Sequence, residues 1–447
     1  MSDPNSPNLR HFSDQLGLKA QARRLWTDMR AALDEMSAWD RGVHIFWLLG
    51  PFILLIERTP ADIWLSFIAL AFAARSILLR QGAWLQRFWV RAAFAFWAVC
   101  LIAALASSLP AYSFGEAFVW FRFPLFAMAT TFWLARDKRL LYAMLASTAI
   151  GIVLMCGILT AEIVIVGQQG GRLSWPYGDL VPGNYLAKAG LPAFTIAVAL
   201  AVSVRGRLAT IAAFFALISM VLSLVTGERI NFLIRACGGM LAALVWKPKL
   251  RRFALLVALE ALAVVVAFQM VPQLGNRFID TFVEQLPTAA SSPYYRAIMP
   301  GVLAAQQSPV LGVGPGNLRH MCVEIVAGAP NMDCHPHPHN FYIQIAGEVG
   351  LVGLIFAVVF IGAMIWACFS ANLRNRANVV AATAFIVPFG FFWPIASTAD
   401  FFGQWNNLFM WSALALSLAA CNLAPDKSPP ASSPISPASS PISKGSQ

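Results

Sequence analysis

Asp333-Cys-His-Pro-His-Pro-His-Asn340 closes a polar stretch, and Phe341-Tyr-Ile-Gln-Ile-Ala-Gly-Glu-Val-Gly-Leu-Val-Gly-Leu354 opens an apolar run that continues to residue 368. How this junction is read decides the fold. Four of the six histidines fall between His320 and His339. Titratable groups crowded where water meets a membrane are costly to keep without use, so a functional site is expected here.

Working outward, the chain has the composition of a polytopic membrane protein, with 58% hydrophobic and 12% charged residues. A crossing helix needs about 20 mostly apolar residues. Runs of that kind lie at 43–57, 62–79, 90–109, 118–135, 140–166, 187–204, 208–226, 230–246, 253–271, 341–368, 379–397 and 405–423. The expectation is an all-α fold of about 12 transmembrane helices, with one large loop, 272–340, between the ninth and tenth. With the N-terminus inside, segments 1–42, 75–91, 136–139, 205–207, 247–252, 374–376 and the tail hold most of the 32 Lys and Arg residues. Every short inner loop carries at least two cations, as insertion bias requires. The net charge of +11 then reflects attraction to anionic lipid headgroups and calls for no nucleic acid.

Residues 1–42 form a cytoplasmic or interfacial segment. Leu18, Ala22, Leu25, Met29, Leu33 and Met36 recur at helical spacing among Lys19, Arg23, Arg24 and Arg30, which predicts a helix lying on the inner membrane surface. The first apolar run comes too late for a cleavable signal. Residues 43–423 form the membrane domain. The tail 424–447 is rich in Ser and Pro, lacks material for a core, and is expected to be disordered.

Cys100, Cys156, Cys237, Cys368 and Cys421 fall in apolar runs and read as small packing residues. Cys322 and Cys334 fall in the large loop, either as two free thiols or, in an oxidising compartment, as a disulfide.

On this topology the outer face collects Arg58, Arg122, Arg172, Lys188, Arg229, Arg277, Arg296, Arg319 and the histidines. Cations outside oppose the insertion bias, and an anionic ligand is the simplest common reason for them. The Gly- and Pro-rich segment 170–184 has irregular backbone, where Arg172 is either a phosphate ligand or a surface charge. Arg229, in Thr226-Gly-Glu-Arg-Ile-Asn231, begins a helix and offers a planar fork suited to phosphate oxygens. Its neighbour Glu228 does not face it on a helix. Arg296 is a second anion-binding candidate. Ser308-Pro-Val-Leu-Gly-Val-Gly-Pro-Gly-Asn317 reads as a tight turn. No Lys-Ser/Thr pair and no strand–helix unit follows it, which excludes a nucleotide loop.

The prolines of 335–340 hold the backbone extended, and Asn340 is placed to cap the helix that starts at Phe341. His339 then sits at the positive end of a helix dipole, which disfavours imidazolium and leaves the neutral ring a general base needs. A zinc site using these histidines with Asp333 and Cys334 is the competing reading, but prolines between the ligands make one chelate awkward. No metal is therefore expected. Gly347, Gly350 and Gly353 predict a smooth face for close helix contact, and Glu348 a partner for an outer arginine.

Together these motifs resemble the O-antigen ligase and polymerase superfamily of bacterial inner-membrane glycosyltransferases. The carriers are Thr226-Gly-Glu-Arg229, Arg296 with Pro309-Val-Leu-Gly-Val-Gly-Pro-Gly-Asn317, and His337-Pro-His-Asn-Phe-Tyr-Ile-Gln344 followed by the glycines. The resemblance implies a GT-C-like architecture with a periplasmic active site in the bacterial inner membrane, needing no nucleotide sugar, metal or other cofactor. It implies a glycan donor linked to undecaprenyl diphosphate, gripped by Arg229 and Arg296 and, more weakly matched, by Arg172 and Lys188. It implies His339 as the base toward the acceptor hydroxyl, with His337 orienting it or acting instead. The acceptor for a ligase is the lipid A-core oligosaccharide. A polymerase or a protein O-oligosaccharyltransferase of the same superfamily would share these motifs. The single large loop favours a ligase. A transporter or flippase of a lipid-linked glycan would need ionisable groups near the bilayer midplane, where only Glu162 and Glu260 stand near helix ends, and no inverted repeat is evident.

Overall fold

The structure is a computed structural model that describes residues 18–168, 172–178, 181–246, 249–286, 291–327 and 334–423. The Ser/Pro-rich tail, the first 17 residues, Asp333 and parts of loop 170–184 lie outside the described residues.

Among the described residues every regular element is helical. Hydrocarbon cannot hydrogen-bond to a backbone, so a chain this apolar satisfies its amides within helices. Among the described residues, seven helices are long and apolar enough to cross a membrane: Arg58–Leu78, Phe88–Leu105, Pro110–Leu134, Lys138–Ile165, Arg207–Val225, Leu250–Met270 and Phe341–Arg374. An eighth is counted if Val181–Ala189 and Leu191–Ser203, bent by 58°, form one span. This is a polytopic helical membrane protein; the expected runs 43–57, 230–246, 379–397 and 405–423 are not among these spans. Arg229–Val245 and Gln404–Ala420 have 17 residues each, about 25 Å of helix at 1.5 Å per residue. The first expected span divides at Leu49 into Ala38–Leu48 and Gly50–Ile53, with Pro51 in the first turn of the second piece, and the eleventh divides into Val379–Thr383 and Ile386–Phe391.

The bent span has an identifiable cause. Residues Tyr185–Ala189 form a wide π turn, so the Gly190 amide donates to Tyr185 O (2.9 Å) instead of Leu186 O. Pro192 in the next turn has no amide to donate. The released Leu186 carbonyl is taken by Nη1 of Arg235, a fully buried side chain of helix Arg229–Val245.

A second break builds the floor of the 272–340 segment. Helix Phe341–Arg374 bends at Gly350, whose φ of 75° suits glycine. The opened carbonyls of Gly347 and Glu348 accept the amides of Val313 (2.9 Å) and Gly314 (2.8 Å), while the Leu351 amide donates to Pro309 O (2.8 Å). A Cβ on Gly350 would collide with the Val310 carbonyl, and one on Gly347 would crowd Gly301. The glycine repeat expected to smooth one helix face thus also docks a turn and a second helix, Pro293–Gln307, on the kink. Glu348 Oε1 accepts the Leu318 amide (3.2 Å), pinning the end of that turn, and its Oε2 accepts from the Gln344 side chain (3.1 Å); these are its partners in place of the arginine expected. A disulfide joins Cys322 and Cys334, with Cα atoms 5.5 Å apart, and ties helix Leu318–Ile325 to the start of the histidine segment.

The N-terminal helix spans Leu18–Asp34. Arg139, at the start of helix Lys138–Ile165, holds Glu35 beyond it (2.9 Å) and Asp137 (2.7 Å).

Candidate active site

A chamber of about 470 Å³ gathers residues from five separate stretches of the chain. Among the described residues, Arg172, Lys188, Arg229 and Arg277 bring four cations to its wall, against the single carboxylate of Glu228. His335, His337 and His339 also line it.

Lys188, Arg229 and Arg277 are held by backbone carbonyls and side-chain amides. Arg229 opens its helix after the glycine turn at Gly227, whose φ is 75°. Its Nη1 donates to Arg277 O (3.3 Å), its Nη2 to the Gln285 side chain, and its plane lies 5.6 Å from the Phe282 ring centre. Arg277 returns the contact, with Nε donating to Gly227 O (2.7 Å). The two arginines therefore fix each other's segments. Burial, then the charges of Arg172 and Arg229, pull the Arg277 guanidinium below its ordinary value. Crowded like charge of this kind is relieved by an anion. Lys188 Nζ donates to Asn184 Oδ1 (2.7 Å) and to the Asn406 side chain. Glu228 accepts from Asn231, three residues on.

The histidine segment is anchored to the residues around Thr398. His339 adopts a φ of 52°, in the left-handed region that costs an L-residue about 1–2 kcal/mol. Its carbonyl accepts the Thr398 amide (2.8 Å), and its Nδ1 lies 3.2 Å from Thr398 O. A carbonyl only accepts, so the ring proton sits on Nδ1 and Nε2 keeps its lone pair. The His337 ring stands 4.4 Å from it, centre to centre. Burial first, and the neighbouring His339 second, push His337 down to about 4. Burial also lowers His339. Both rings are neutral near pH 7, for a reason that differs from the helix dipole read from the sequence. Asn340 caps as predicted, its Oδ1 accepting from the amides of Tyr342 (3.0 Å) and Ile343 (3.2 Å).

The structure brings Arg172, Lys188, Arg229, His337 and His339 to one chamber. It does not bring Arg296 there. That side chain is not among the lining residues, and its Nη2 donates to Ser291 O (3.0 Å). The arginine in the wall is Arg277, which in the sequence is one more cation among several. Also missed were Asn184, Asn231 and Asn406, polar positions inside apolar runs and therefore visible as anomalies.

Two further spaces adjoin the chamber. An apolar groove descends from it between helices Arg229–Val245 and Ile386–Phe391, past Ile230, Ile234 and Ala396 to Cys237, Phe389 and Trp393. On the other side lies a larger cavity of about 950 Å³ that shares Asn184, His337 and Ala399 with the chamber. The partition between the two is the segment around 397–403. Gln344 holds it in place, accepting the Phe401 amide (2.8 Å) and donating to Asp400 (2.6 Å). Asn407 donates to Phe401 O (2.7 Å) and Gly403 O (2.6 Å).

Among solved structures, a chain from "Structural coordination of polymerization and crosslinking by a peptidoglycan synthase complex" is similar at 17% identity, covering 74% of this chain and 96% of that one, with a TM-score of 0.46. No curated protein matches the sequence. Residues 211–358 match the family model described as O-antigen ligase. That stretch, about a third of the chain, is what resembles the O-antigen ligase family, and it holds Arg229, Arg277 and the three histidines of the chamber.

Proposed function

We propose that the protein is an inverting glycosyltransferase that moves a glycan from undecaprenyl diphosphate to the lipid A-core oligosaccharide at the periplasmic face of the bacterial inner membrane. One observation carries this reading: a chamber with three more cations than carboxylates, faced by neutral imidazoles, opens directly onto an apolar groove. A diphosphate fits the first part and an isoprenoid tail the second.

In this reading Arg229, Arg277, Lys188 and Arg172 hold the diphosphate. Negative charge grows on its bridging oxygen as the glycosidic bond breaks, and fixed guanidinium groups stabilise it there. A neutral imidazole of the 335–339 segment removes the acceptor hydroxyl proton, and the acceptor oxygen bonds to the anomeric carbon from the opposite face. Among the described residues the chamber's one carboxylate, Glu228, is buried and engaged by Asn231, so none of them offers a free-standing carboxylate nucleophile for a two-step, retaining route.

The lipid and lipopolysaccharide profile of a strain that makes only the His339→Ala, His337→Ala double variant tests this. The expected outcome is long glycan chains accumulating on the lipid carrier with uncapped lipid A-core. Accumulation of single repeats on the carrier would instead mean polymerase activity, and normal capping would end the proposal.

A further inference from the structure

The larger cavity is not used by the donor reading above. Its lining is chemically unlike that of the chamber. Arg58, Arg122 and Arg319 face Asp62, Glu116 and Asp400, so fixed charges cancel. Two of the three guanidinium groups are already paired: Arg122 with Asp62 (3.0 Å) and Arg319 with Asp400. Arg58 donates to Gln404 (3.1 Å). An anion entering would meet as many carboxylates as guanidiniums and gain little. A sugar hydroxyl, which donates to a carboxylate and accepts from a guanidinium at once, matches such a wall. Tyr112 and Trp405 add aromatic surface with a polar edge, against which a sugar's C–H face packs.

The position matters as much as the chemistry. In an inverting displacement the acceptor approaches the anomeric carbon from the side opposite the leaving diphosphate. His337 is the histidine that lines both spaces, whereas His339 lines the chamber only.

We propose that this cavity seats the acceptor as an uncharged, hydroxyl-rich oligosaccharide segment and presents its hydroxyl to His337 at the opening between the two spaces. The proton passes to the imidazole, the oxygen forms the new bond to the anomeric carbon, and the electron pair of the broken bond leaves on the diphosphate. His339, fixed by Thr398, positions His337 from the donor side. The assignment rests on the donor reading of the chamber, so the test separates the two.

The probe is the core oligosaccharide released from lipid A, added to the purified full chain, with binding read by intrinsic tryptophan fluorescence. Glu116→Gln should weaken its binding about tenfold, the loss of one hydrogen bond to a charged group, and Tyr112→Ala by about the same factor through lost aromatic packing. Arg229→Ala should leave it within about twofold. Identical elution of all variants on size exclusion establishes that they fold. Binding lost in Arg229→Ala and kept in Glu116→Gln would overturn the assignment, as would no binding to the unaltered protein. A protein that binds the oligosaccharide through these residues yet transfers nothing would instead strike the donor reading.

Discussion

Arg229 and Arg235 sit on one helix less than two turns apart, and the protein uses them in opposite ways. Arg235 Nη1 takes the Leu186 carbonyl, its Nη2 donates to Ser219 Oγ (2.7 Å), and its plane lies 3.9 Å from the Phe194 ring centre. It is fully buried. Arg229 is braced from behind by Arg277 O and Gln285 and faces an open chamber shared with three other cations. The difference teaches that a guanidinium in a membrane protein is not in itself a ligand site. It becomes one where its surroundings hold the fork in place and leave charge uncompensated. Where the fork closes on a broken helix, it is part of the frame.

The largest effect tests that distinction. Arg235→Ala strands the Leu186 carbonyl in an apolar layer and empties a large volume, a loss of about 3–5 kcal/mol by analogy with breaking a buried pair. The expected outcome is poor recovery of detergent-solubilised protein and a sharply lowered melting temperature. Arg229→Ala should melt near the unaltered protein. If Arg235→Ala melts normally and fails only in transfer, the two arginines are not different in kind and the comparison breaks.

The second effect lies in catalysis. Arg229→Ala and Arg277→Ala should each lower kcat about 100- to 1000-fold, the range for removing one fixed donor from a developing oxyanion. Lysine at either position should recover part of the loss, since it restores the charge but not the fork. Arg296→Ala should fall by less than about tenfold, because its side chain is outside the chamber wall. An Arg296→Ala loss as deep as that of Arg277→Ala would restore the sequence-based pairing of Arg229 with Arg296.

These contrasts mark what a sequence reader can see. Apolar runs locate nearly every long helix, because burial in hydrocarbon leaves so strong a compositional trace. The number of full spans does not follow from them. Whether Val181–Ser203 is straight depends on a π turn and on an arginine donated from another helix. The cap at Asn340 was legible because capping is local. Arg277 was not, because nothing local separates it from Arg296. Its place in the wall comes from contact with Gly227, 50 positions away in the chain. The partition around 397–403 was likewise invisible, since Gln344, Asp400 and Asn407 read singly as ordinary polar residues.

The smallest effect concerns the pH range in which the base works. His337 is held at about 4, mainly by burial, against about 6.5 for an unperturbed imidazole. The folded ring is therefore neutral where a free histidine would begin to gain a proton. For the free enzyme, kcat/KM should stay level from pH 8 down to about 5.5, with the acid limb below that. A half-loss at about 6.5 would mean that the reacting imidazole is unperturbed, and that the opening between the spaces is wetter than its packing indicates. The same displacement acts on stability with a definite sign. As pH falls below about 6.5 the unfolded chain takes up a proton that folded His337 refuses, so this residue's contribution turns against the fold progressively until about pH 4. His337→Gln should remove that part of the acid sensitivity while leaving the melting temperature at pH 8 little changed, which separates a neutral, buried base from one that titrates in the open.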